Sequence, residues 1–329
     1  MTQQRNALID FFRVTAAIAV GSYHFLLFES PKEVLFPSLN ADQLFFEWFK
    51  TPVLFFFVLT AVVIPIHLRE NRFQLSGYPV FMAKRLIRVH YPFMVLLVLT
   101  VLTHVFFLWQ NDHPISIDWR QFTGNITLTA EFTHVPWYNS IFWTLAIEMQ
   151  FYLLIGLVFP LIERFEWKSV LGLLIAGEVL HYFINDSRFV WYYTPYLCLG
   201  LLFYLRLIGN ISQQIFYGFL VVLLGLTACF HELLTVWVIV AFPLIMLTIK
   251  HISVIWSNLS RFTYSFYLVH GLVGGHFLYF THSWGTDLPI AILRFVLAFI
   301  ISGLASWVFY YLIEKPSVKW MHRVRYRKN

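Results

Sequence analysis

Residues 9–28 read IDFFRVTAAIAVGSYHFLLF, with ten residues between Arg13 and His24 in a run apolar enough to enter a membrane. Eleven helical steps of about 1.5 Å separate the two groups by roughly 16 Å along the axis, about half the hydrocarbon thickness of a bilayer. Eleven rotations of about 100° leave them within about 20° of each other, on one face. A cation or titratable ring in lipid costs roughly 3 kcal/mol or more, so such groups face a protein interior or a wet pathway. This first helix is therefore predicted to line a functional cavity.

The rest of the chain agrees with a membrane setting. With 59% hydrophobic and only 12% charged residues over 329 positions, no soluble fold could hide this much apolar surface. The 36 Phe suit lipid-facing and interfacial helix surfaces, and the absence of period-two alternation argues against an outer-membrane barrel. The expected fold class is all-α: a polytopic integral membrane protein of about ten transmembrane helices around a central cavity. Cys198 and Cys229 both fall in apolar runs and suggest neither a disulfide framework nor a metal site. Arg5 and Arg13 precede a long apolar segment with no Ala-x-Ala-like cleavage site, so the amino terminus reads as a retained first span. The net charge of +6 does not point to nucleic acid, because the basic residues cluster beside spans. The partners to expect are membrane lipids and substrates, with oligomeric state left open.

Apolar windows fall near 8–28, 42–68, 79–109, 141–162, 168–184, 190–208, 214–230, 232–250, 260–280 and 289–313. His231-Glu232 is the only polar break between the seventh and eighth. Arg69, Arg72, Lys84, Arg85 and Arg88 follow the second span, Arg164 and Lys168 the fourth, Arg206 the sixth, and Lys250 and Arg261 the eighth. The opposite connections carry little beyond Lys32, Lys50, Arg120 and Arg188. This segregation predicts cytoplasmic termini at both ends. The longest connection, about 110–140, reads as an outer cap or loop, and its Asn125-Ile126-Thr127 matches the glycosylation pattern. No linker, low-complexity run or repeat divides the chain, so 1–329 is expected to be a single membrane domain with a short basic cytoplasmic tail at 315–329.

Polar residues inside the spans are the candidates for chemistry. Arg85 and Arg88 lie three apart, hence on one helical face at the inner edge of the third span. Two guanidinium forks there suit a diphosphate, and they equally suit snorkelling to lipid phosphates. Glu148, a carboxylate inside an apolar helix, must be paired, protonated or wet. Its partner could be Arg13, His24 or Arg85, or it could make a packing hydrogen bond to Ser, Thr or Tyr. His270, in the ninth span, fits a satisfied core residue or a catalyst, and Glu314 before Pro316 fits a cap, an ion-pair partner for the tail or an acid. His24 stands apart because it comes with Arg13.

Together these segments resemble the membrane-bound acyltransferase family 3. That family's basic residue, ten others and His are matched by Arg13 and His24. Its Phe-Phe-Val-Leu-Ser-Gly run is matched by Phe56-Phe57-Val58-Leu59, with Thr60-Ala61 where Ser-Gly is usual, a departure that bears on helix packing. Its Arg-x-x-Arg with a nearby Pro is matched by Arg85, Arg88 and Pro92, and its Trp-Ser-Leu-x-x-Glu-x-x-Phe-Tyr by Trp143, Leu145, Glu148, Phe151 and Tyr152. The Ser-Tyr-x-x-Tyr-Leu-x-His pattern is similar to Thr263-Tyr264, Tyr267-Leu268 and His270, and the closing Glu-x-Pro to Glu314 and Pro316.

The resemblance spans Arg13 to Pro316 and implies an acyl-CoA-dependent O-acyltransferase of the bacterial inner membrane. Such proteins commonly move acetyl from acetyl-CoA to sugar hydroxyls of O-antigen, capsule, exopolysaccharide or other glycans, some of them lipid-linked. The chain looks like a stand-alone member without an added hydrolase-like domain. On this reading Arg85, Arg88 and Arg13 meet the donor's phosphates, His24 is the general base and Glu148 assists it, with Tyr264, His270 and Glu314 as further candidates and no metal. An acyl-histidine relay across the membrane is the variant of this mechanism. The reading from a different class is a transporter or flippase for a lipid-linked or anionic substrate, in which the same charges bind without chemistry.

Overall fold

The computed structural model describes residues 3–28, 51–231, 233–249, 252, 253, 255–285 and 287–326. Lys32, Lys50, Glu232, Lys250, Arg327 and Lys328, together with 42–50 of the second expected span, lie outside the described residues. Every regular element among the described residues is helical, and the chain is an all-α polytopic membrane protein. Within the described residues, each apolar window is helical over most of its length. In chain order these are α1 (Gln3–Phe28), α2 (Pro52–Glu70), α3 (Tyr78–Arg85) continuing into α4 (Tyr91–Gln110), α5 (Trp119–Ile126) and α6 (Phe142–Phe165). There follow α7 (Trp167–Phe183), α8 (Thr194–Leu207), α9 (Gln213–Phe230), α10 (Leu233–Thr248), α11 (Ile255–Ser260), α12 (Thr263–Phe280), α13 (Leu288–Phe309) and α14 (Lys315–Arg323).

Among the described residues, five stretches are long and apolar enough to cross a bilayer: Pro52–Glu70, Leu75–Gln110, Phe142–Phe165, Gln213–Phe230 and Leu288–Arg323. The other expected spans are shorter or more polar. α7, α8 and α10 run 17, 14 and 16 residues, and α1 and α12 carry candidate residues named from the sequence, Arg13 and His24 on one, Tyr264 and His270 on the other. Two of the long stretches contain a π-helical turn, Leu86–His90 between α3 and α4 and Tyr310–Glu314 between α13 and α14. Such widened turns concentrate at functional places in helices. Here they hold Arg88 and Glu314.

The helices form two compact units. The first takes α1 up to Val20, α2, and the chain from Gln150 to Thr263. Pro52 starts α2 with its φ preset for a helix, and Trp237 donates its indole N–H to Thr51 Oγ1 at 3.0 Å. α2 lies close against α8 because of Gly200: a Cβ there would stand 2.3 Å from the Val58 carbonyl oxygen and 2.6 Å from Ala61 Cβ. Small residues let helices approach in lipid, where dispersion and packing replace the hydrophobic drive. At Ala61, where the family pattern usually has glycine, the close fit is thus supplied from the opposite helix. Phe12, Phe55 and Phe242 fill the neighbouring space, with Phe12 and Phe242 ring centres 4.8 Å apart. At the unit's edge Arg69 pairs with Glu163 at 2.8 Å, and the Tyr204 hydroxyl donates to the same carboxylate.

The second unit takes α1 from Gly21, the chain from Pro79 to Met149, and everything from Tyr264 onward. Phe25, Leu278 and Ala298 form a buried cluster, flanked by Phe277, Phe295 and Phe299. The connection 110–140 is more ordered than a loop. Asp118 caps α5, its Oδ1 accepting from the Arg120 N–H at 2.8 Å and the Gln121 N–H at 3.1 Å. Asn125 is fully buried: its amide donates to the carbonyls of Gln121 (2.9 Å) and Pro136 (3.0 Å) and accepts from the Tyr138 N–H (2.9 Å). That side chain is a structural brace, not a glycan acceptor.

Candidate active site

The second unit contains an imidazole pair. Gly21, one turn before His24, admits the Phe266 ring, whose Cε1 would stand 3.0 Å from a Cβ there, so α1 and α12 lie close. That approach seats the half-buried His24 beside His270, with ring centres 5.2 Å apart and planes inclined at 51°. His270 is fully buried, stacked on Phe266 with Phe25 at its edge. Its Nδ1 lies 3.0 Å from the Phe266 carbonyl oxygen and 2.8 Å from that of Tyr267. Carbonyl oxygens only accept, so Nδ1 carries the proton and Nε2 is left as an acceptor. That Nε2 is buried and has no hydrogen-bond partner.

The neighbours of this pair are fixed by hydrogen bonds to α12. The Tyr267 hydroxyl donates to the Ile141 carbonyl at 3.0 Å and is bonded to the Thr144 hydroxyl, tying α12 to the start of α6. Glu148, half-buried one turn further along α6, interacts electrostatically with Tyr267. A tyrosine was among the packing neighbours weighed from sequence, beside an ion pair with Arg13, His24 or Arg85. Tyr264 donates its hydroxyl to the Val89 carbonyl at 2.7 Å, in the π turn that carries Arg88. The next residue, Ser265, donates to the buried Glu314 carboxylate at 2.6 Å, in the other π turn. Adjacent residues of α12 thus hold both π turns.

Arg85 is buried and its guanidinium carbon sits 5.4 Å from the Phe81 ring centre, while Arg88 is partly exposed. Lys84 is buried too, with its ammonium 4.7 Å from the Tyr326 ring centre. Burial raises the Tyr326 phenol above its ordinary value, against the opposing pull of Arg85. The basic group at the start of the third span therefore includes Lys84 beside a tail aromatic, beyond the two arginines spaced for it. Arg13 sits in the first unit's part of α1, 3.8 Å from Asp10.

Arg294 was not singled out from sequence. It is 1% exposed, and its guanidinium donates to Thr281 Oγ1 at 3.1 Å and to the Leu278 carbonyl at 2.7 Å, neutralising the carboxyl end of α12. A charge within the 289–313 window was the available signal; counting basic residues by connection passes over it. In the first unit, His181 and His231 stack at 4.5 Å with planes 8° apart, and His231 meets Glu178 at 3.4 Å. Rings so nearly parallel do not aim their lone pairs at one ion. No group of three or more His, Cys, Asp or Glu among the described residues is arranged to hold a metal.

These features define an all-α polytopic membrane protein with an imidazole pair embedded between two of its helices. A family model described as an acyltransferase domain, acyltransferase family 3, matches residues 6–311, and the chain belongs to that family: it is a membrane acyltransferase. Neither the curated proteins nor the solved structures gave a match.

Proposed function

We propose that this acyltransferase moves an acetyl group from cytoplasmic acetyl-CoA to a sugar hydroxyl of a cell-surface glycan, O-antigen, capsule or exopolysaccharide, with His24 as general base. The observation that carries this reading is His24 beside a fixed, buried imidazole, in the unit that also holds the basic cluster of Lys84, Arg85 and Arg88. Two guanidinium groups and an ammonium match the phosphates of a coenzyme A. Arg13, eleven helical steps before His24 on the same face of α1, is assigned to the donor's phosphates from the sequence pattern alone.

A neutral imidazole accepts the proton of the sugar hydroxyl as its oxygen bonds to the thioester carbonyl carbon. The tetrahedral intermediate then collapses with breakage of the C–S bond, and the imidazolium returns that proton to the departing thiolate. Such base catalysis is typically worth about 10²–10⁴-fold. Holding both substrates in a passage that excludes bulk water supplies much of the remaining reduction in barrier. Glu148 and Glu314 act as positioning carboxylates at the α6 and π-turn edges of the site, with Tyr264 holding the turn of Arg88. The setting consistent with this chemistry is a bacterial inner membrane, with both termini cytoplasmic.

Membranes supplied with radiolabelled acetyl-CoA are expected to label glycan. Mass spectrometry of surface glycan from cells lacking the gene separates this reading from that of a carrier. Loss of the acyl group alone supports the enzyme, and loss of the whole glycan supports a transporter or flippase. Replacing Arg85 and Arg88 together by Ala is expected to raise KM for acetyl-CoA at least ~10-fold, the loss of about 1.4 kcal/mol. An unchanged KM would remove the phosphate assignment.

A further inference from the structure

We infer that His270 is a positioning residue for His24, its Nε2 serving as the acceptor that fixes which nitrogen of His24 is basic. The inference rests on the reading of His24 as the base. Three observations carry it. The Phe266 and Tyr267 carbonyls dictate the tautomer of His270, because both lie against Nδ1. Its Nε2 is then an acceptor, buried and without a partner, and such an unmet group is costly unless something uses it. The remaining observation is distance. Two imidazoles joined by one N–H···N bond have ring centres about 5 Å apart, and His24 and His270 stand at 5.2 Å.

A turn of the inclined His24 ring brings one of its N–H groups to His270 Nε2. Its other nitrogen is then held unprotonated for the sugar hydroxyl. When His24 takes the substrate proton, the same bond holds the resulting imidazolium. Hydrogen bonds of this kind are commonly misaligned until substrate arrives. In a Ser-His-Asp triad a buried carboxylate does this work. Here a neutral imidazole does it, and no second full charge is added to the membrane interior. Asn139, whose amide nitrogen would lie 3.0 Å from a Cβ on Gly271, packs against α12 one residue beyond His270.

Asn and Gln substitutions at this position separate the two ends of the ring. His270→Asn retains a donor near Nδ1 for the two carbonyls and removes the acceptor at Nε2. His270→Gln carries its amide out to the Nε2 position and gives up the short-range donor. For a positioning role, His270→Asn is expected to lower kcat about 10–100-fold with KM for donor and acceptor within about twofold, and His270→Gln to recover part of that loss. For a purely structural role the order reverses, with Asn the better substitute in both activity and thermal stability, and that order would overturn the inference. If one variant does not fold, the other decides: a well-folded His270→Asn with wild-type kcat, or a well-folded His270→Gln with activity no higher than His270→Ala, equally overturns it. His24→Ala assayed alongside keeps the two readings apart. Full activity there would sink the base assignment itself, whereas an inactive His24→Ala with a fully active His270→Asn would sink only the positioning role.

Discussion

At the scale of single residues, the informative groups are polar side chains held between apolar helices by specific partners. Glu314 is one: buried, it takes a 2.6 Å hydrogen bond from Ser265. Ser265→Ala removes one donor from a buried carboxylate, a change expected to cost about 1–3 kcal/mol. The check is the thermal unfolding midpoint in detergent, where an unchanged value would mean that Ser265 contributes nothing to holding the π turn. The placing of Arg13 and His24 on one helix was legible from their spacing, because a ten-residue gap sets both axial distance and face. The tautomer of His270 was not legible, because it depends on where two backbone carbonyls of its own helix turn lie. The electrostatic neighbour of Glu148 was hidden for a related reason: Tyr267 is over a hundred positions away in sequence and arrives only through packing.

At the scale of elements, helix positions followed directly from apolar windows, whereas helix contacts did not. The α2–α8 approach turns on Gly200, so Gly200→Ala is expected to destabilise the protein by about 1–3 kcal/mol, since the backbone at Val58 cannot yield as a flexible side chain would. Thermal unfolding of the variant in detergent tests this, and a wild-type midpoint would mean the helices separate freely. α5 was readable in hindsight from Asp118 preceding a helix-length segment, although a two-turn helix gives too little periodicity to stand out from a loop. The loop after α7 gives a pH prediction. Arg188, hydrogen-bonded to Asp186 at 2.8 Å and 2.5 Å, holds that carboxyl below its ordinary value. A lowered folded value means the stabilisation is present above the unfolded pKa of about 4 and is lost as pH falls through the lowered value. The pair is partly solvent-exposed, so at most about 1 kcal/mol is at stake after screening. The difference in unfolding midpoint between wild type and Asp186→Asn is therefore expected to be small at pH 6, to shrink as pH falls below about 4 and to vanish once pH is under the lowered folded value. A gap that widened on acidification would contradict this.

At the scale of the whole molecule, membrane character came from composition alone, since an apolar content of 59% leaves no soluble alternative. The grouping into two compact units did not, because α1 and α6 each contribute to both and no break in composition marks the division. The two helices that hold the imidazole pair, α1 and α12, stand outside the five stretches most apolar among the described residues. Imidazoles in apolar helices are costly unless they face protein, and the close packing at Gly21 gives His24 and His270 such a setting. The central claim is that His24 acts as the base of acyl transfer, and its most direct test is the rate of transfer from radiolabelled acetyl-CoA to glycan in proteoliposomes. His24→Ala, folded and binding acetyl-CoA normally, is expected to lose at least ~10²-fold in kcat. Transfer at the wild-type rate would contradict the account.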